Sequence, residues 1–180
     1  MFYNFKEILK DNEELTYCKL GDNFSSEATP EVLGFSYFNP NPRNCIVGDC
    51  VKRAIVVATG KDYKEVETFM NKNKVHRDRP YNDGDNFKHC IELLGGAKIN
   101  MNVPKGTNRW HVTTINKVMH NYSNINYCIS VSKHLIGVRD QVIYDLYDDR
   151  VRDKGIYNLF LFGASDKEVK EIQEICSRGN

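Results

Sequence analysis

Apolar positions recur at helical spacing through the middle of the chain and at alternate positions towards its end. Val51, Ala54, Ile55 and Ala58 share one helical face and Gly60 supplies a left-handed stop, so a buried helix is predicted to follow Asp49. A second helix starts at Asp62, with Glu65 three residues on in a capping-box pattern and Val66, Phe69 and Met70 as its stripe. A third is predicted from Asp85 to Leu94, with Phe87, Cys90, Ile91 and Leu94 inward and Gly95-Gly96 as its stop. Ile115 to Tyr122, capped by Thr113 or Thr114, reads as a fourth. Lys167 to Cys176, capped by Asp166 and carrying Val169, Ile172 and Ile175, reads as a closing helix.

The period changes to two from Asn126. Tyr127 to Ser132 and Leu135 to Val138 form one tract interrupted at Lys133-His134; Gln141 to Tyr147 and Gly155 to Phe162 form two more. Ile99, Met101 and Val103 alternate as a short strand would. Residues 1–17 read as a short helix or surface arm. Lys19 to Pro42 is dense in Gly and Pro and reads as loop, with Val32 to Phe38 as one candidate strand. Helices first and an antiparallel meander after is an α+β order. The expectation is one domain over residues 1–180, with N-terminal helices packed on an antiparallel sheet and 1–43 as an N-terminal arm.

Composition narrows the function classes. The 25 Lys and Arg against 24 Asp and Glu give a formal charge of +1, which calls for neither nucleic acid nor an acidic surface as partner. No apolar run approaches the roughly 20 residues that cross a bilayer, and Met1 to Glu7 lacks the apolar core of a signal peptide. A cytoplasmic protein is the expectation, with no membrane partner. The six cysteines, at 18, 45, 50, 90, 128 and 176, have no zinc-knuckle or redox spacing and read as reduced thiols. A Cys45–Cys50 disulfide, or a metal site drawing on His76 or His89, is the weaker alternative.

The candidate chemistry begins at Cys50. Gly48 frees the backbone, Asp49 is a preferred N-cap, and the thiol falls on the first helical turn, where free N–H groups and the helix dipole favour a thiolate. The hairpin downstream supplies its partners. Arg139-Asp140-Gln141-Val142 is short enough for a two-residue turn that pairs Arg139 with Val142. Counting outward puts His134 opposite Tyr147 and diagonal to Asp145, on one face of the sheet. An imidazole held by a carboxylate on the next strand is the base-and-orienter half of a thiol triad. Asp148 competes for the third role if a bulge reverses the parity.

The block Asp49-Cys50-Val51-Lys52-Arg53-Ala54-Ile55 with Ala58-Thr59-Gly60-Lys61-Asp62-Tyr63-Lys64-Glu65-Val66, followed in order by Ile129 to Val138 and Val142-Ile143-Tyr144-Asp145, resembles a group of small bacteriophage and bacterial papain-like cysteine peptidases. These are related in fold to the bacteriocin-processing C39 peptidases. The resemblance covers roughly residues 44 to 148. It implies a papain-like core with Cys50 as nucleophile, His134 as general base and Asp145 as orienter. It also implies a peptide or protein substrate, no metal or organic cofactor, and host cytoplasm as the compartment if the chain is phage-encoded. Papain-like enzymes carry a Gln six residues before the nucleophile as an oxyanion donor; Asn44 holds that offset, and the Cys50 N–H can serve beside it.

The implied activity is a thiol hydrolase cutting a peptide or isopeptide bond. Its alternatives are a non-catalytic papain-like module that binds a host protein or small ligand, and a transglutaminase or deamidase using the same triad. Other candidates read as structural. Cys45 is the alternative nucleophile, but the helix starts after it. Trp110-His111 is expected to anchor the loop before the fourth helix. Lys52 and Arg53 are expected to point to water, and Arg77-Asp78-Arg79 and Asp148 to Lys154 read as solvated charge runs.

Overall fold

The computed structural model of the chain describes residues 33–44, 46, 48–101, 103–148 and 154–179. Within these it is an α+β structure of five α-helices and a six-stranded mixed sheet. The strands are β1 (Gly34–Tyr37), β2 (Ala97–Asn100), β3 (Asn126–Val131), β4 (His134–Arg139), β5 (Val142–Asp145) and β6 (Asn158–Phe162). The helices are α1 (Cys50–Thr59), α2 (Tyr63–Lys72), α3 (Gly84–Leu93), α4 (Asn116–Met119, running into a 3₁₀ turn at His120–Tyr122) and α5 (Asp166–Arg178).

Strand order is β1-β5-β4-β3-β6-β2. The expected antiparallel meander holds from β3 to β5 only. β6 returns to pair with β3, and β1 joins the edge of β5 in parallel, Gly34 against Val142 through Tyr37 against Asp145. A parallel edge and a returning strand are pairings between distant segments, which local periodicity does not encode. Of the stretch read as an arm, residues 1–32 lie outside the described residues, whereas 33–43 supply β1 and the turn after it.

Alternation divides the core in two. Tyr127, Ile129, Ile136, Val138, Ile143, Leu159 and Leu161 face Trp110, Ile115, Val118 and Met119, with Ile172 and Cys176 of α5. Cys128, Leu135, Phe160 and Phe162 point the other way, beneath α1, α2 and α3. Every residue of α1 from Val51 to Ala58 is buried, and each large apolar side chain so covered contributes about 1.5–3 kcal/mol. Gly137 sets how close α1 lies to β4. A Cβ there would stand 2.7 Å from Val57 Cβ and 2.9 Å from the Ala54 Cα and carbonyl oxygen, so only glycine admits this contact.

The helix ends refine the expectations. Asp62 caps α2 through the Lys64 and Glu65 amides as predicted, and Gly60 closes α1 at φ 69°. α3 is capped by Asp83, two residues before the predicted start. α5 is capped by Ser165, not Asp166, in a reciprocal capping box with Glu168. α4 is one turn long with no side-chain cap; the Thr114 hydroxyl is bonded to His111 instead. Trp110 is buried and its carbonyl accepts from the Ile156 N–H, which ties down the loop before α4.

Candidate active site

Cys50 is the first residue of α1, half-buried, with the free amides of the first turn around it. Its partners come from the β4–β5 hairpin. Asp140 and Gln141 both adopt positive φ, 48° and 62°, which is the two-residue turn that suits the right-handed strand twist. Arg139 therefore pairs with Val142 and Val138 with Ile143. The non-glycine turn is held from outside: the Asp140 N–H donates to Asn126 and the Gln141 amide to the His120 carbonyl. β1 braces the far strand, the Phe38 N–H donating to the Asp145 carbonyl at 3.1 Å.

That register brings His134 and Asp145 together. Nε2 of His134 donates to Oδ2 of Asp145 at 2.7 Å, and the Leu146 N–H donates to Oδ1 at 2.6 Å. By parity His134 shares the sheet face of Ile136, while α1 packs on the other face; His134 is the first residue of β4, and there it lines one cavity with Cys50. With Nε2 committed to the carboxylate, Nδ1 is the ring nitrogen available to the Cys50 sulfur.

The electrostatics of the pair are reciprocal. Burial raises the Cys50 thiol, but a hydrogen bond with His134, the Leu135 N–H and the His134 charge outweigh it and hold the thiol below its ordinary range. Burial opposes the charged imidazole of His134, yet hydrogen bonds to Asp145 and Cys50 push it up to about 9. Each charge stabilises the other, which favours a thiolate–imidazolium pair over the neutral thiol and imidazole. The other described cysteines differ. Cys90, Cys128 and Cys176 are buried, and burial pushes each above the usual thiol range, Cys176 to about 12.

Beside the pair opens a cavity of about 320 Å³. Val51, Phe87, Val131 and Leu135 line it with apolar side chains, and Asn82, Ser130 and Lys133 add polar and charged ones. Asn82 was not legible as a site residue: it lies in a polar stretch with no periodic signal, and tertiary folding alone delivers its amide. Asn44 is exposed, at φ 52°, and its side-chain oxygen accepts from the Asn39 amide at 3.1 Å. It is not among the residues lining the cavity. Asp148 lies three residues beyond Asp145, which is the carboxylate that receives His134. Cys45 falls outside the described residues, as does most of the charge run from Asp148 to Lys154.

Two expectations about charge are corrected. Lys52 and Arg53 do not point to water; they are 6% and 3% exposed. Lys52 pairs with Glu67 and lies 4.2 Å from the Tyr81 ring centre, and the Tyr81 hydroxyl donates to the Gly48 carbonyl, two residues before Cys50. Arg53 is ion-paired with Asp49. Asp49 precedes α1 but makes no side-chain cap; its carboxylate instead accepts from Arg53, Asn41 Nδ2 at 2.7 Å and the Tyr63 hydroxyl at 3.0 Å. These buried charges are tolerated because each meets an opposite charge or a hydrogen bond.

Among the described residues no group of three or more His, Cys, Asp and Glu side chains could hold a metal ion, and no helix is long and apolar enough to cross a membrane. The chain matches no family model, no curated protein and no solved structure.

Proposed function

We propose that the protein is a papain-like thiol hydrolase that cleaves a peptide or isopeptide bond with Cys50, His134 and Asp145. One observation carries this reading: a half-buried thiol at a helix N-terminus lines the same cavity as an imidazole whose Nε2 sits 2.7 Å from a buried carboxylate.

The chemistry follows from those groups. The Cys50 thiolate attacks the carbonyl carbon, and charge develops on the oxygen where the Cys50 N–H can receive it. His134 gives its proton to the departing amine as the C–N bond breaks, leaving a thioester. The now neutral imidazole takes a proton from water, the hydroxide displaces the sulfur, and the acid product leaves with the ion pair restored. Asp145 keeps the ring oriented throughout.

A mixed peptide library incubated with the wild type and with Cys50→Ala, and read by mass spectrometry, tests the proposal. Cleavage present in the first and lost in the second is expected. No Cys50-dependent cleavage would favour a non-catalytic module that uses the same cavity for binding. Mass gain on an added amine instead of hydrolysis would point to acyl transfer by the same residues.

A further inference from the structure

Arg53 plays no part in the bond-making steps, yet its surroundings are costly to build. Its guanidinium lies between two buried carboxylates: Nη1 pairs with Asp49 Oδ1, and Nη2 stands 3.9 Å from Asp145 Oδ1. Asp49 is held in turn by Asn41 and Tyr63, so groups from the pre-helix loop and α2 converge on the carboxylate that anchors Arg53. The buried Nε of Arg53 makes no hydrogen bond, at a cost of about 1–3 kcal/mol. The guanidinium is anchored by the Asp49 ion pair, with Asp145 as a second charge partner at longer range. From Asp49 through Arg53, Asp145 and His134 to Cys50, charges alternate in sign.

We propose that Arg53 is a positioning residue of the site: anchored by Asp49, its guanidinium holds the Asp145 carboxylate at the angle from which Oδ2 meets His134, and so ties the helix bearing Cys50 to the strand bearing Asp145. The proposal rests on the reading of His134 as base and Asp145 as its orienter. The other titratable groups facing Arg53 are Tyr37 of β1, Tyr63 of α2 and Tyr147 just beyond β5; those facing His134 are Cys50 of α1 and Asp145 of β5. Burial lifts Tyr37 and Tyr63 above the ordinary phenol range, so they stay neutral where His134 titrates.

Charge and position predict opposite signs. By Coulomb attraction alone, removing a cation from Asp145 would leave its negative charge less screened and raise the His134 pKa. Loss of position weakens the His134–Asp145 bond and lowers it. The measurement is an NMR titration of the His134 ring in a Cys50→Ala chain, which makes the result independent of whether the thiol is a nucleophile. Arg53→Met is expected to lower the His134 pKa by about one unit or more, a roughly tenfold loss of proton affinity. Arg53→Lys keeps the charge but cannot span both carboxylates, and is expected to fall between the two. An unchanged or raised value in Arg53→Met, or a value in Arg53→Lys equal to its parent, overturns the proposal. Should Arg53→Met fail to fold, Arg53→Lys decides alone, a lowered value supporting the proposal and an unchanged one sinking it. Failure of the underlying site reading shows elsewhere, as ordinary reactivity of Cys50 in the unsubstituted chain.

Discussion

His134 donates to Asp145 across 2.7 Å although they lie eleven positions apart in the chain, because a two-residue turn fixes the register of the strands that carry them. The carboxylate is only 4% exposed, so its hold on the ring is poorly screened. Replacing Asp145 with Asn keeps the shape and removes the charge. The His134 pKa should then fall from about 9 towards its ordinary 6.5, and turnover by roughly 10²–10⁴-fold. Ring titration by NMR and steady-state kinetics check both.

Under the proposed function, the same pair sets a pH window for hydrolysis. The reactive form is thiolate with imidazolium, present above the lowered Cys50 pKa and below that of His134. Since His134 is raised to about 9, its proton is lost on the alkaline side of neutrality, and activity should decline as pH rises through that value. The acid limb should lie below the ordinary thiol range, because Cys50 is shifted down. A rate–pH profile showing maximal activity only above pH 9 would contradict this assignment.

Gly137 is the contact through which α1 reaches β4, three residues from His134. Gly137→Ala would place its methyl against the Ala54 backbone, which cannot yield as a flexible side chain does. The helix must lift, at a cost of about 1–3 kcal/mol, and the Cys50–His134 contact opens with it. Thermal unfolding and the rate of Cys50 alkylation should fall together. Wild-type values for both would show that the helix does not set the site.

Sequence legibility followed the range of the interaction. α1 through α3 and the β4–β5 hairpin repeat a period and end on turn chemistry that neighbouring residues determine, so they could be read directly, and with them the register that joins His134 to Asp145. The parallel pairing of β1 with β5 could not, because nothing local in Gly34–Tyr37 names its partner. Arg53 misled for a related reason. A charge on a helix is usually solvated, and its burial here is offset by Asp49 and by Asp145, ninety-two positions downstream. Asp49 looked like a cap because its residue type and position suit one; the competing guanidinium took the carboxylate.

Cap strength gives a check on the fold away from the site. Ser165 receives the Glu168 amide and returns its own N–H to the Glu168 carboxylate, closing the first turn of α5. Ser165→Ala should lower stability by about 1 kcal/mol in chemical denaturation and leave Cys50 reactivity unchanged.

Alkylation of Cys50 by iodoacetamide between pH 5 and 9, located by peptide mass spectrometry in the wild type and in His134→Ala, is the most direct test of the central claim. Cys50 should react far faster than Cys90, Cys128 and Cys176 near pH 6, and His134→Ala should abolish that advantage. A Cys50 that reacts as an ordinary thiol, with a pKa near ~8.5 in both chains, would contradict the thiolate–imidazolium pair and the hydrolase built on it.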